Sequence, residues 1–165
     1  FNAEISRGIA FLLDSHENYC WESTWYYGNY YGTYVSVRTL CAANADSATI
    51  AGAIEFIKNS RLNDGGWAID GQESSPLQTA LALLTLSIAT QHLGIKPDEQ
   101  WLNESIKYLE ETYLPDEGWR SSPFIKMPMG RPYGFIHTTL TYESIAITNN
   151  YIAKACNHIS RNHIH

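Results

Sequence analysis

A chain of 165 residues is long enough for one domain with its own core, and a net charge of −6 without any run of Lys or Arg argues against a nucleic-acid partner. Three cysteines, widely spaced and with no CxxC pair, give neither a disulfide framework nor a thiolate metal site and point to a reducing, cytoplasmic compartment. No apolar stretch approaches the roughly 20 residues that span a bilayer, and Phe1-Asn2-Ala3-Glu4 has no initiating Met and no signal-peptide layout, as expected of a piece of a longer polypeptide.

In chain order, Ile5, Ile9, Phe11 and Leu12 give residues 4–15 one aliphatic face and predict an amphipathic helix, followed by Trp21. Aromatics then crowd residues 19–34. The stretch 25–34 has β propensity, but Gly28, Gly32 and the lack of strict alternation predict an ordered loop. Residues 32–43, rich in Tyr, Val, Leu and Ala, predict a second and more apolar helix. The third spans 46–61, with Asp46 as N-cap and Ile50, Ile54 and Ile57 opposite Glu55, Lys58 and Asn59. After Gly65-Gly66-Trp67, the run Ser75-Pro76-Leu77-Gln78 is a capping box with Pro at the first helical position, and the helix that it opens is apolar nearly all round and therefore buried. Leu102, Ile106, Tyr108 and Leu109, opposite Glu104, Lys107, Glu110 and Glu111, predict another amphipathic helix over 101–113, ahead of Trp119. Residues 135–147 read as its apolar successor and 151–160 as a C-terminal helix; no strand is predicted.

An aliphatic face, an aromatic and a Trp thus recur three times, and the gap from Ile57 to Trp67 equals that from Leu109 to Trp119. Recurrence at roughly 45 to 50 residues belongs to architectures whose helical units stack to bury their apolar faces. Outer amphipathic helices alternating with inner apolar ones describe an all-α fold, an α/α toroid. Three hairpins and a C-terminal helix make a single domain over 1–165, about half of a closed (α/α)6 ring. The open edge of such an arc predicts self-association or completion by another segment.

The turns carry a family resemblance. Ala53-Ile54-Glu55-Phe56-Ile57, Arg61 and Gly65-Gly66-Trp67 resemble the QW repeat of terpene cyclases, typified by squalene-hopene cyclase. The Gln position of that repeat is Arg61, and in the third copy Tyr113 ahead of Glu117-Gly118-Trp119; the first copy opens with Arg7-Gly8-Ile9-Ala10-Phe11-Leu12 and His16, then leaves the Gly-x-Trp register. Asp64-Gly65-Gly66-Trp67-Ala68-Ile69-Asp70 and Ser75-Pro76-Leu77-Gln78-Thr79-Ala80 are similar to the DGGWGED and TPSQTAWAL segments of these enzymes. Trp25-Tyr26-Tyr27-Gly28-Asn29-Tyr30-Tyr31-Gly32-Thr33 resembles their WYGRWG…NYxYGT stretch, and Gly130-Arg131-Pro132-Tyr133-Gly134-Phe135 with Tyr142 their GFPxxF…Y segment.

The resemblance implies part of a class II terpene cyclase, which protonates squalene or a shorter isoprenoid such as a prenyl diphosphate with an Asp of a DxDD motif and guides the cation through ring closures. No DxDD occurs here, and family order places it upstream of Phe1; DDxxD, the magnesium motif of diphosphate ionisation, is also absent, so neither metal nor cofactor is expected. The resemblance places Phe135 and Tyr142, two helical turns apart in the predicted helix, at cavity-lining positions; as residues alone they read rather as ordinary core aromatics. Tyr30 or Tyr31 matches a cavity Tyr in the segment that Trp25 opens. Asp70 matches a residue beside the catalytic acid, and otherwise reads as a turn Asp before Gly71. Trp67 and Trp119 read as structural members of the repeat, with Arg61 stacked on the indole by a cation–π contact and Gln78 in the capping segment. The six histidines show no HxxxH or HExxH spacing. The full-length protein is expected to meet its apolar substrate at a membrane surface. Two other readings remain open: a non-catalytic toroid that binds an apolar ligand or a protein, and a carbohydrate-active toroid, for which Asp70 with Glu73 is a poor acid pair.

Overall fold

The computed structural model describes residues 2–69, 71–130 and 138–162. Six helices and one two-stranded sheet lie along them: α1 (Asn2–Asp14), α2 (Tyr30–Ala42), α3 (Ser47–Asn59), α4 (Pro76–Leu93), α5 (Glu99–Glu111), β1 (Pro123–Met129), β2 (Thr138–Glu143) and α6 (Ile145–Asn162). Helices α1/α2 and α3/α4 pack as hairpins, and α5 lies against α4 and is joined to α6 through Trp119 as a third, looser pair, with the more buried even-numbered members inside.

Local chemistry sets the ends. The Asp46 carboxylate accepts the Thr49 N–H and hydroxyl, both at 2.8 Å, and opens α3. Ser75 Oγ accepts the Gln78 N–H at 3.3 Å with Pro76 following it, and Gly94 ends α4 in the left-handed conformation at φ 65°. Asp98 caps α5 through the Trp101 N–H.

Helix α4 is the hub. Leu77, Gln78, Thr79, Ala80, Leu81, Ala82, Leu83, Leu84 and Thr85 are all buried, as a helix apolar on every side requires. It packs against α2, α3, α5 and α6. Each of its buried leucines contributes about 1.5–3 kcal/mol relative to exposure. A second cluster of Trp21, Val37, Leu40, Ile50, Ala53, Ile54 and Ala89 joins the first two hairpins.

The expected helix over 135–147 is not found: Thr138–Glu143 is a strand, antiparallel to Pro123–Met129 in a register that places Ile125 opposite Tyr142 and Met127 opposite Leu140. Thr138, Thr139, Thr141 and Tyr142 are strand formers, and apolar content without a helical period is what suggested the helix. The inner helix of the third hairpin starts after Ser144, whose hydroxyl accepts the Ile147 N–H at 3.3 Å, and includes the helix expected over 151–160. The ordered loop expected over 25–34 ends at Asn29. Gly32 lies inside α2, where a Cβ would come 2.1 Å from the Trp21 carbonyl oxygen, so this glycine serves close approach rather than loop freedom.

A candidate aromatic cavity wall

Three equivalent tryptophans hold the inner helices to the outer ones. The Trp21, Trp67 and Trp119 indole N–H groups donate to the carbonyls of Leu12, Ile57 and Leu109, at 2.9, 2.8 and 2.6 Å, each near the C-terminal end of an outer helix. Their backbone N–H groups donate to side chains of the following inner helix: Thr33, Thr79 and Asn149. Trp21 is therefore a full member of the repeat, although the sequence around it leaves the Gly-x-Trp register. Arg61 bonds Glu104 at 2.7 Å, and its guanidinium lies 4.9 Å from the Trp101 ring centroid, nearer than the expected Trp67 at 6.0 Å. Trp119 meets Tyr113, the residue at its own Gln position, edge-on at 4.8 Å.

This frame brings four elements together around a cluster of rings. Helix α2 supplies Tyr31 and Tyr34, one turn apart; α6 supplies Tyr151, β1 Phe124, and the preceding loop Tyr26. The loop is tied to β1 by hydrogen bonds from Tyr27 N to Phe124 O (3.0 Å) and from Lys126 N to Trp25 O (2.9 Å), and to β2 by a 2.6 Å hydrogen bond between the Tyr27 and Thr141 hydroxyls. Ring centroids lie 4.1 Å apart for Tyr26 and Tyr31, 5.0 Å for Tyr26 and Phe124, 5.1 Å for Tyr31 and Phe124, and 6.1 Å for Phe124 and Tyr151. Burial, then the neighbouring Tyr151 and Tyr26 phenols, push the Tyr31 hydroxyl up to about 12. Burial likewise raises Tyr151, with Tyr34 the next cause. These phenols stay neutral at physiological pH and present electron-rich faces, which suits a cation and not an acid–base step.

One turn below, Tyr34 Oη accepts from Lys154 Nζ at 2.5 Å and from Arg38 Nη1 at 3.4 Å, and both cations lie over its ring, at 5.1 and 5.4 Å. The buried Tyr34 thus joins α2 to α6 and gathers two positive charges there.

Of the residues singled out in the sequence, Tyr31 lies in the cluster. Tyr30 turns into the core, 6% exposed and facing Phe56. Trp25 is 55% exposed on the loop, and Tyr142 is 47% exposed on β2; the two-turn helical relation expected between Tyr142 and Phe135 does not exist, because position 142 is in a strand. Asp70 and Phe135 lie outside the described residues. Gln78 is fully buried at the start of α4, and neither amide atom has a partner among the described residues. Glu73 lies near enough to raise the Tyr108 phenol, after burial and Asp64. Among the described residues no three His, Cys, Asp or Glu side chains converge as metal ligands, and no helix is long and apolar enough to cross a membrane. Sequence reasoning missed Phe124, Tyr151, Tyr34, Arg38 and Lys154. The i, i+3, i+7 spacing of Tyr31, Tyr34 and Arg38 was a usable signal; Phe124 had none, because its strand was not foreseen.

Residues 2–151 match the family model of the squalene-hopene cyclase C-terminal domain. A type B diterpene cyclase from Mycobacterium tuberculosis is 28% identical over an alignment of 120 positions that covers 67% of this chain and 23% of that protein. Among solved structures, the type II terpene cyclase MstE from Scytonema, in complex with merosterolic acid A, superimposes with a TM-score of 0.76 at 20% identity, covering 98% of this chain and 50% of that one. Another MstE structure, in complex with the substrate geranylgeranyl dihydroxybenzoate, gives a TM-score of 0.76 at 18% identity, covering 94% and 50% of the two chains. An ent-copalyl diphosphate synthase from Streptomyces platensis gives 0.69 at 14% identity, covering 97% and 28%. The chain therefore spans about half the length of MstE and less than a quarter of the diterpene cyclase.

Proposed function

Since the chain belongs to the squalene-hopene cyclase C-terminal domain family, we propose that it forms one wall of a class II terpene cyclase cavity, acting on a linear isoprenoid. The observation that carries this reading is the convergence of Tyr26, Tyr31, Phe124 and Tyr151 from four elements. A desolvated ring face stabilises a nearby carbocation by about 0.5–2 kcal/mol. The 165 residues hold no DxDD, so the reading gives this chain the guidance of the cation and not its creation. Asp70 and Phe135 keep the roles that the family resemblance implies, Asp70 beside the acid and Phe135 on the wall. Trp25 and Tyr142 then belong to the rim rather than to the cluster, being half exposed.

The test is incubation of the full-length protein with squalene and with prenyl substrates from sesquiterpene to triterpene length, followed by mass spectrometry. A cyclised product is expected from at least one; none from any would refute the reading. Tyr31→Leu and Tyr151→Leu should lower cyclisation about 3- to 30-fold and raise the share of partly cyclised products. Tyr31→Phe, which keeps the ring, should stay within about threefold of the parent.

The same reading makes the free edge at α1 a place of self-association or ring completion, because Ile5 and Phe11 are 58% and 68% exposed there. In sedimentation velocity the 165-residue chain should associate with rising concentration and Phe11→Glu should stay monomeric; a parent that remains monomeric would remove self-association from the reading. Peripheral association of the full-length protein with membranes, which an apolar substrate favours, is read by co-flotation with liposomes.

A further inference from the structure

The spaces between successive outer helices are filled unequally. Between α1 and α3, Tyr19 lies against Gly52, where a Cβ would fall 2.3 Å from its ring. Between α3 and α5, where the Arg61–Glu104 ion pair straps the helices together, a cavity of about 920 Å³ opens over α4. That volume is in the range of sites for small ligands, about 300–1,000 Å³. Its walls include Ile54 of α3, Leu83 and Leu86 of α4, Trp101 and Leu102 of α5, and Ile159 of α6. Its α4 and α6 lining, Leu83 to Gln91 and Ile159 with Arg161, comes from the C-terminal parts of those helices, and it shares no residue with the aromatic cluster.

On the lining, Lys58 bonds Glu55 at 3.0 Å and Lys96 pairs with Glu99 at 2.8 Å, while the Asp98 carboxylate accepts the Trp101 N–H as the cap of α5 and makes no ion pair with a described residue. Arg161 lines the cavity and makes no ion pair within 4.0 Å of a described residue. Ser105, 1% exposed in the α5 wall, has a hydroxyl with no partner among the described residues. An apolar trough with a cation at its margin that pairs with no described residue fits an elongated amphiphile better than a sugar or a compact polar metabolite, and the Ser105 hydroxyl gives one polar contact along it.

We propose that this cavity binds a linear amphiphile with one anionic head, its hydrocarbon chain along Ile54, Leu83, Leu86 and Trp101 and its head at Arg161. The site shares no residue with the aromatic cluster, and its test does not depend on the reading given above. The probe is oleate, kept below its micelle concentration and titrated calorimetrically into the 165-residue chain, with oleyl alcohol as the uncharged control. Saturable binding of about one oleate per chain is expected. Arg161→Glu, an exposed position, should weaken oleate about fivefold or more and leave oleyl alcohol within about twofold. Ala51→Phe, which fills the trough from α3, should weaken both about tenfold, with thermal unfolding confirming that the variant folds. Absence of saturable oleate binding, or binding that both variants leave unchanged, would overturn the proposal. Loss of oleate and oleyl alcohol alike in Arg161→Glu would overturn the placement of the head.

Discussion

Trp67 is the side chain on which most of one hairpin depends. It is 1% exposed, its indole N–H bonds the Ile57 carbonyl and its backbone N–H bonds Thr79. Trp67→Phe should cost about 2–4 kcal/mol in urea unfolding, combining a cavity with a buried carbonyl left unpaired. Trp119→Phe, at the half-buried copy, should cost about half as much. The role of these tryptophans was legible because a Gly/Trp turn recurs at constant distance from an aliphatic face. Trp21 was harder to place, since its bond reaches back nine residues where the others reach ten, and no glycine precedes it. Arg61 lies nearest the ring of Trp101, from the next outer helix, rather than the Trp67 expected from the repeat, a tertiary neighbour that spacing along one helix does not reveal.

For the elements, what could be read depended on how local the determining chemistry was. Caps at Asp46 and Ser75 and the all-round apolarity of α4 are written in a few consecutive residues, so α3 and α4 were legible almost to their ends. The β1/β2 hairpin depends on pairing between distant segments, and with it Phe124 and the surroundings of Tyr142 were lost. Tyr31 could be distinguished from Tyr30 only once α2 was known to begin at Tyr30, which turns one ring to the cluster and the next to the core. Close approach between elements gives a sharp contrast at two glycines. Gly32→Ala drives a Cβ into the rigid Trp21 carbonyl and should destabilise by about 3 kcal/mol or more, whereas Gly52→Ala meets the Tyr19 ring, which can swing away, and should cost no more than about 1.5 kcal/mol. Equal costs in parallel thermal melts would contradict the packing described at both sites.

The whole molecule should also respond to acid through one histidine. His158 Nδ1 shares a 2.8 Å hydrogen bond with Ser87 Oγ, and burial, followed by the charges of Lys154 and Arg161, holds the imidazole below its usual value of 6.5. The unfolded chain then binds this proton more readily than the folded one. Its contribution to stability is complete above about 6.5 and declines as the pH falls through the lower, folded value. The urea midpoint should therefore be lower at about pH 5.5 than at about pH 7.5, and His158→Gln should flatten that part of the profile; a midpoint that rises on acidification would reverse the sign argued for His158.

The spacing of the tryptophan bonds has one more consequence. From Trp backbone to inner-helix side chain the interval is 12 residues in the first two hairpins and 30 in the third, and the excess is the segment that carries β1 and β2. The hairpin is thus an insertion into an otherwise uniform unit, joined to the frame at Trp119 and Ser144 and contributing Phe124 to the ring cluster. Because the frame holds this piece at its two ends, the length between Trp119 and Ser144 can change while the tryptophan bonds of the three hairpins stay where they are, so a shortened hairpin should alter the ring cluster and leave the helical scaffold folded.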